Sequence, residues 1–159
     1  DSIPGEGSTF FFNLPLRLGA RHVSKEKQEN GEEARLAFDL MGKNILIVED
    51  VDTNYFYLSS LLQKMNCKIQ RANNGLKAIE IAKKDNSIDL ILMDIELPVL
   101  DGYKATQEIK KFRPDLPIIA QTAFAMMGER ERSREAGCND YIAKPIRKEE
   151  LISTLRKYV

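Results

Sequence analysis

From Lys43 to Val159 the sequence alternates short apolar runs with helix-period patterns five times over, and that rhythm admits few architectures. Residues 44–48 read as a buried strand. A helix over 53–65 follows, with Leu58, Leu61, Leu62 and Met65 at i, i+3, i+4 and i+7. Residues 67–72 read as the second strand, and Asn74-Gly75 breaks the chain before a helix from 76 to about 83. Residues 88–93 form a nearly unbroken apolar run, the pattern of a strand covered on both faces. A third helix is expected over 102–111. The fourth strand, 116–121, lies behind Pro114 and Pro117, and a charged helix over 128–136 stops at Gly137. A short strand at 141–143 and a helix at 148–158 complete the fifth pair, with Leu151, Ile152, Leu155 and Val159 on one helical face. Strands joined through helices are expected to be parallel neighbours, because a right-handed helical crossover is their usual connection. The expected fold is α/β: a doubly wound, five-stranded parallel sheet of order 2-1-3-4-5, with helices on both faces.

In such sheets ligands sit outside the carboxyl ends of the strands, where the strand order reverses. The residues at those ends are polar. Strand one ends in Glu49-Asp50, strand three in Asp94, strand four in Thr122 and strand five in Lys144-Pro145. Any one acid at a strand end is an ordinary solvated cap, but the topology brings this whole set to one crevice. Two carboxylates about 5 Å apart at an effective dielectric near 20 repel by roughly 3 kcal/mol. Lys144 offsets one charge. A divalent cation offsets the rest, and hard carboxylate oxygens with room for water suit Mg²⁺. Such an ion shields an anionic phosphoryl donor as it nears an anionic nucleophile. A carboxylate can be that nucleophile, forming an aspartyl phosphate. Asp94, on a central strand, is the expected acceptor, with the Thr122 hydroxyl and the Lys144 ammonium on the new phosphoryl oxygens.

The set Ile47-Val48-Glu49-Asp50, residues 92–102 (LMDIELPVLDG), Thr122-Ala123 and Lys144-Pro145 resembles the receiver domain of two-component signalling, over residues 43–159. The fold implied is flavodoxin-like. The resemblance implies that Glu49, Asp50, Asp94 and the backbone carbonyl of Glu96 hold Mg²⁺. It also implies Thr122 as switch hydroxyl, Tyr141 as switch aromatic, and a cis Lys144-Pro145 peptide. Glu96 departs from the family, many members of which carry Asn there, so the lifetime of an aspartyl phosphate is expected to depend on it. A flavodoxin-like electron carrier would share the fold, but it needs a phosphate loop where this chain has Glu49-Asp50-Val51-Asp52. An aspartyl phosphatase of the haloacid dehalogenase pattern would carry its nucleophile on strand one. A degenerate, docking-only receiver is opposed by the complete set of five positions.

Residues 4–16 (PGEGSTFFFNLPL) resemble the final strand of the ATP-binding domain of sensor histidine kinases. Residues 1–18 are thus expected to be a remnant of that domain, 19–42 a linker and 43–159 the receiver. Residues 36–41 are either a helix end docked on the domain or part of the linker. The kinase's ATP-binding residues would lie earlier, so no kinase activity is expected of this fragment. Asp94 is expected to take its phosphoryl group from a phosphohistidine and then to switch conformation or pass the group to a histidine phosphotransfer protein, so the expected partners are a histidine kinase phosphodonor domain, a histidine phosphotransfer protein, or both. Phe10, Phe11 and Phe12, with Leu14 and Leu16, suggest a homodimer through residues 9–18. His22 lies in a polar stretch, Gly5-x-Gly7 reads as a turn, and 129–135 as a solvated helix face.

Lys plus Arg and Asp plus Glu balance at 24 each, so no global positive field exists to hold nucleic acid or an anionic membrane. Cys67 and Cys138 have no partner at ligand spacing, and no secretion signal or spanning segment is visible, which suits a reduced, cytoplasmic domain whose parent kinase could be membrane-anchored.

Overall fold

Five strands pair side by side in parallel, in the order β2-β1-β3-β4-β5: β1 Asn44–Val48, β2 Lys68–Ala72, β3 Leu90–Asp94, β4 Ile118–Thr122 and β5 Asp140–Ala143. Between and after them run α1 Asp52–Gln63, α2 Gly75–Lys84, α3 Gly102–Phe112, α4 Met127–Glu135 and α5 Lys148–Leu155. This computed structural model of the 159-residue chain describes residues 2–3, 7–8, 38–123 and 127–159. The chain divides into two units, Asp1–Leu36 and Ala37–Val159. In the first, Ser2–Ile3 pairs antiparallel with Gly7–Ser8. The strand expected over 9–18, and His22, lie outside the described residues.

The central strands β1, β3 and β4 are buried at every position, as their apolar runs require. Alternation sends Leu46, Val48, Ile91, Met93, Ile118 and Ala120 into one cluster with Ala78, Ala82, Ala105 and Ile109 of α2 and α3. Ile45, Ile47, Leu92 and Ile119 point the other way and are equally buried; Leu58 and Leu62 of α1 and Leu151 and Leu155 of α5 are buried outside that first cluster. With helices on both faces these strands are near-continuous apolar runs rather than alternating ones.

Several element ends differ from the sequence-based expectation, each for a local reason. The helix expected over 53–65 is Asp52–Gln63, because Asn66 turns left-handed at φ 60 and ends it; Leu61 is only half-buried. β3 starts at Leu90 rather than 88, where Asp89 instead turns its carboxylate to the Asn44 N–H at 2.8 Å. β4 starts at Ile118 rather than 116, since Pro117 has no N–H for the ladder and only its carbonyl accepts, from Ile91. α5 closes at Leu155, short of 158. Phe38 to Leu40 is not helical; Leu40 is buried and donates its N–H to the Met65 carbonyl at 2.7 Å.

Candidate functional site

The carboxyl ends of β1, β3, β4 and β5 carry the polar residues singled out above, and the sheet brings them together. Glu49 follows β1 and is fully buried, Asp94 ends β3 at 3% exposure, and Asp50 is exposed. Their carboxylate oxygens lie within 4.8 Å of one another. Lys144, following β5, places its Nζ 2.6 Å from Asp94 Oδ2 and 2.9 Å from Glu49 Oε2. The Lys144–Pro145 peptide is cis.

Each group is held by its own element. Asp94 Oδ1 accepts the Glu96 N–H at 3.1 Å, and Glu49 Oε1 accepts from the Val51 N–H at 3.2 Å and from Asn54 Nδ2 at 3.1 Å. Asn54, on the first turn of α1, is a contact that the sequence reading missed; its signal was a side-chain amide five residues after the buried acid. The loop from Asp94 to α3 folds tightly on itself. The Gly102 N–H donates to the Ile95 carbonyl at 3.1 Å, and a Cβ on Gly102 would overlap the Asp94 carbonyl oxygen. Within that loop Val99 sits at φ 69 while the Leu100 N–H donates to the Pro98 carbonyl at 2.8 Å, a tight γ-like turn.

Burial pushes the Asp94 carboxyl above its ordinary value and the Glu49 charge adds to this, against the hydrogen bond and charge of Lys144. Burial works against the Lys144 ammonium too, but the hydrogen bonds and charges of Asp94 and Glu49 outweigh it and raise its pKa. One ammonium facing three carboxylates leaves the cluster two negative charges in excess, with hard oxygens within 4.8 Å of one another. That donor set fits Mg²⁺. Asp94, Glu49, Asp50 and the Glu96 carbonyl are the residues that would hold it.

Thr122 ends β4 and is buried; its carbonyl accepts the Lys144 N–H at 2.7 Å. Thr122 pairs with Ala143 and Ala120 with Tyr141, so Thr122 and Tyr141 are diagonal neighbours on one sheet face. The Arg130 guanidinium lies 5.5 Å from the centre of the Tyr141 ring.

A sheet of this order with an acidic cluster at its reversal point, closed by a lysine, defines a class of signalling domain, and residues 45–156 match the response regulator receiver domain. The chain belongs to that family, and so is a receiver domain of two-component signalling. It is 40% identical to the polar-differentiation response regulator DivK of Brucella anthropi, over 75% of this chain and 98% of DivK. Among solved structures it is similar to the receiver domain of the sensor histidine kinase PA1611 from Pseudomonas aeruginosa, which has a magnesium ion in its active site cleft. That match has 40% identity and a TM-score of 0.69, covering 74% of this chain and 97% of that one. It is also similar to the Saccharomyces cerevisiae Ssk1 receiver, solved with the histidine phosphotransfer protein Ypd1, at 32% identity and TM-score 0.70, covering 76% and 91%. Among the described residues no helix is long and apolar enough to cross a membrane.

Proposed function

We propose that Asp94 accepts a phosphoryl group from a phosphohistidine. The observation that carries this reading is the Asp94 carboxylate at the end of a central strand, 2.6 Å from Lys144 and beside Glu49 and Asp50. In the step, an Asp94 oxygen attacks phosphorus, the O–P bond forms as the N–P bond breaks, and the freed electron pair stays on the imidazole nitrogen. Mg²⁺ bound at the cluster supplies positive charge that offsets the carboxylates and the phosphoryl oxygens. Lys144 stays on the acceptor and follows the charge that moves to the phosphoryl oxygens. Thr122 donates its hydroxyl to one of them. Val51 and Asn54 keep Glu49 from turning away, so its charge remains at the site.

Its partners are a histidine kinase phosphodonor domain, a histidine phosphotransfer protein to which Asp94 passes the group, or both. The Ssk1 receiver complex supports the second, and the resemblance of residues 4–16 to the end of a kinase ATP-binding domain supports a place in a hybrid histidine kinase. The PA1611 receiver, itself part of a sensor kinase, supports the same placement. The apolar strand pattern over 9–18 supports self-association, which sedimentation of this chain beside one starting at Ala37 would test; equal masses would refute it. Incubation with acetyl phosphate and Mg²⁺, read by intact mass, tests the acceptor. One added phosphoryl group is expected, and none on Asp94→Asn or in excess chelator. Labelling that persists in the variant would overturn the assignment.

A further inference from the structure

Arg71 stands on the edge strand β2, paired in the ladder with Ile47 of β1. Its side chain does not run out to solvent; it is 28% exposed. The guanidinium lies 4.3 Å from the centre of the Tyr55 ring, and its Nη2 donates to Asp52 Oδ1 at 2.6 Å. The same nitrogen reaches the carbonyl oxygens of Glu49 and Asp50 at 3.4 and 3.5 Å. Asp52 and Tyr55 are three residues apart on the first turn of α1, so they share one helix face. One guanidinium therefore touches both sides of the loop that joins β1 to α1. Two of the three carboxylates of the acceptor site belong to that loop.

Those carboxylates are held in different ways. Glu49 is fixed by the Val51 N–H, Asn54 and Lys144, and Asp94 by the Glu96 N–H and Lys144. Among the described residues no group bonds the Asp50 carboxylate, so its aim at the cluster is set by its backbone. Arg71 is the side chain that reaches that backbone. Its placement also leaves Nε buried without a hydrogen-bond partner among the described residues, an arrangement that buried donors rarely show. An arginine serving only as a solvated edge residue would extend its head into water and keep every donor satisfied.

We propose that Arg71 is a positioning residue for the metal site. By clamping the Glu49–Asp52 loop between β2 and α1 it sets where the Asp50 carboxylate stands, and so how tightly Mg²⁺ binds. It also keeps the Asp52 carboxylate turned toward itself. This rests on the reading of Glu49, Asp50 and Asp94 as a Mg²⁺ site. Residues that orient metal ligands without touching the metal typically change its affinity about 10- to 100-fold when lost. Charge alone predicts the opposite sign: Arg71 is a cation beside a cation site, so by Coulomb repulsion its removal would tighten binding.

The test titrates Mg²⁺ into the whole unphosphorylated chain, well below each variant's melting temperature, while the Asp50 and Glu96 amides are followed by ¹⁵N NMR. Arg71→Met keeps an apolar stem against Tyr55 and removes the guanidinium; it is expected to bind Mg²⁺ about tenfold more weakly. Tyr55→Leu leaves every charge in place and removes the ring under the guanidinium. It is expected to weaken Mg²⁺ by about two- to fivefold, the equivalent of a cation–π contact. Unchanged or tighter binding in Arg71→Met would overturn the proposal. If that variant does not fold, Tyr55→Leu decides, and an affinity equal to wild type overturns it. An absence of saturable shifts in the wild-type chain would instead overturn the metal site itself, and this inference with it.

Discussion

Lys144 closes on Asp94 with 2.6 Å between Nζ and Oδ2, across a sequence separation of 50 residues. The same ammonium reaches Glu49, so a single cation holds two buried carboxylates in place. Its own charge is insufficient for the cluster, and the measurable consequence is a stability that depends on pH and on metal.

Asp94 titrates above its ordinary value when folded. A group raised in this way favours the folded state below its unfolded pKa, about 3.9 for Asp, and that contribution is lost as pH rises through the folded value. In chelator, wild type should therefore lose stability as pH climbs from about 4. Asp94→Asn lacks that loss, so at pH 7 in chelator it should melt higher than wild type, by roughly 4 °C for each kcal/mol relieved. Added Mg²⁺ should raise the wild-type Tm more than the variant's. Thermal unfolding from pH 4 to 8 with and without chelator checks this; parallel pH profiles for both proteins would refute it.

Gly102 is the hinge point of the acceptor loop in a steric sense. A methyl there would overlap the Asp94 carbonyl and come within 2.9 Å of the Ile95 Cα, both backbone atoms that cannot swing aside. Gly102→Ala should destabilise by about 1–3 kcal/mol, the usual range for overpacking, and slow labelling by acetyl phosphate because Asp94 shifts with its carbonyl. Urea unfolding and intact mass at fixed times measure the two effects. A variant with wild-type midpoint and labelling would show that the loop yields freely.

Val99 presents the opposite case. A β-branched residue at φ 69 is strained, and at 79% exposure it recovers little by packing. Val99→Gly relieves the strain but adds backbone freedom to the unfolded chain, worth about 0.4–1 kcal/mol. The strain costs about 1–3 kcal/mol, so a net gain near 1 kcal/mol is expected. A rise in the urea midpoint at unchanged slope would bear this out, and a fall would mean that Val99 makes contacts its exposure does not suggest.

Strand identity and the acidic cluster were legible in the sequence because each site residue interrupts or ends an apolar run, which makes Glu49, Asp94, Thr122 and Lys144 visible without coordinates. Strand starts were less so. Asp89 and Pro117 shorten β3 and β4 through a side-chain bond and a missing N–H, neither of which apolar periodicity registers. Asn54 reads as a surface residue on a helix until its partner Glu49 is placed beside it. Residues 36–41 stayed open between a docked helix end and linker because one buried residue, Leu40, carries no period.

The last prediction concerns Thr122 and Tyr141, which share a sheet face as diagonal neighbours on β4 and β5. A phosphoryl group on Asp94 is expected to draw the Thr122 hydroxyl toward it and to vacate space for the Tyr141 ring. The Arg130 guanidinium, 5.5 Å from that ring, holds it in its present place by a cation–π contact worth about 0.5–1 kcal/mol at an exposed site. With beryllofluoride and Mg²⁺ as phosphoryl mimic, ring and amide resonances of Tyr141 should shift together with those of Asp94 and Thr122. Thr122→Ala should keep the shifts near Asp94 and shrink those at Tyr141. Arg130→Ala removes the contact that favours the present ring position, so the unphosphorylated protein should populate the alternative roughly two- to fivefold more. Shifts confined to the acidic cluster in wild type, with Tyr141 unmoved, would show that the two residues are neighbours without being coupled.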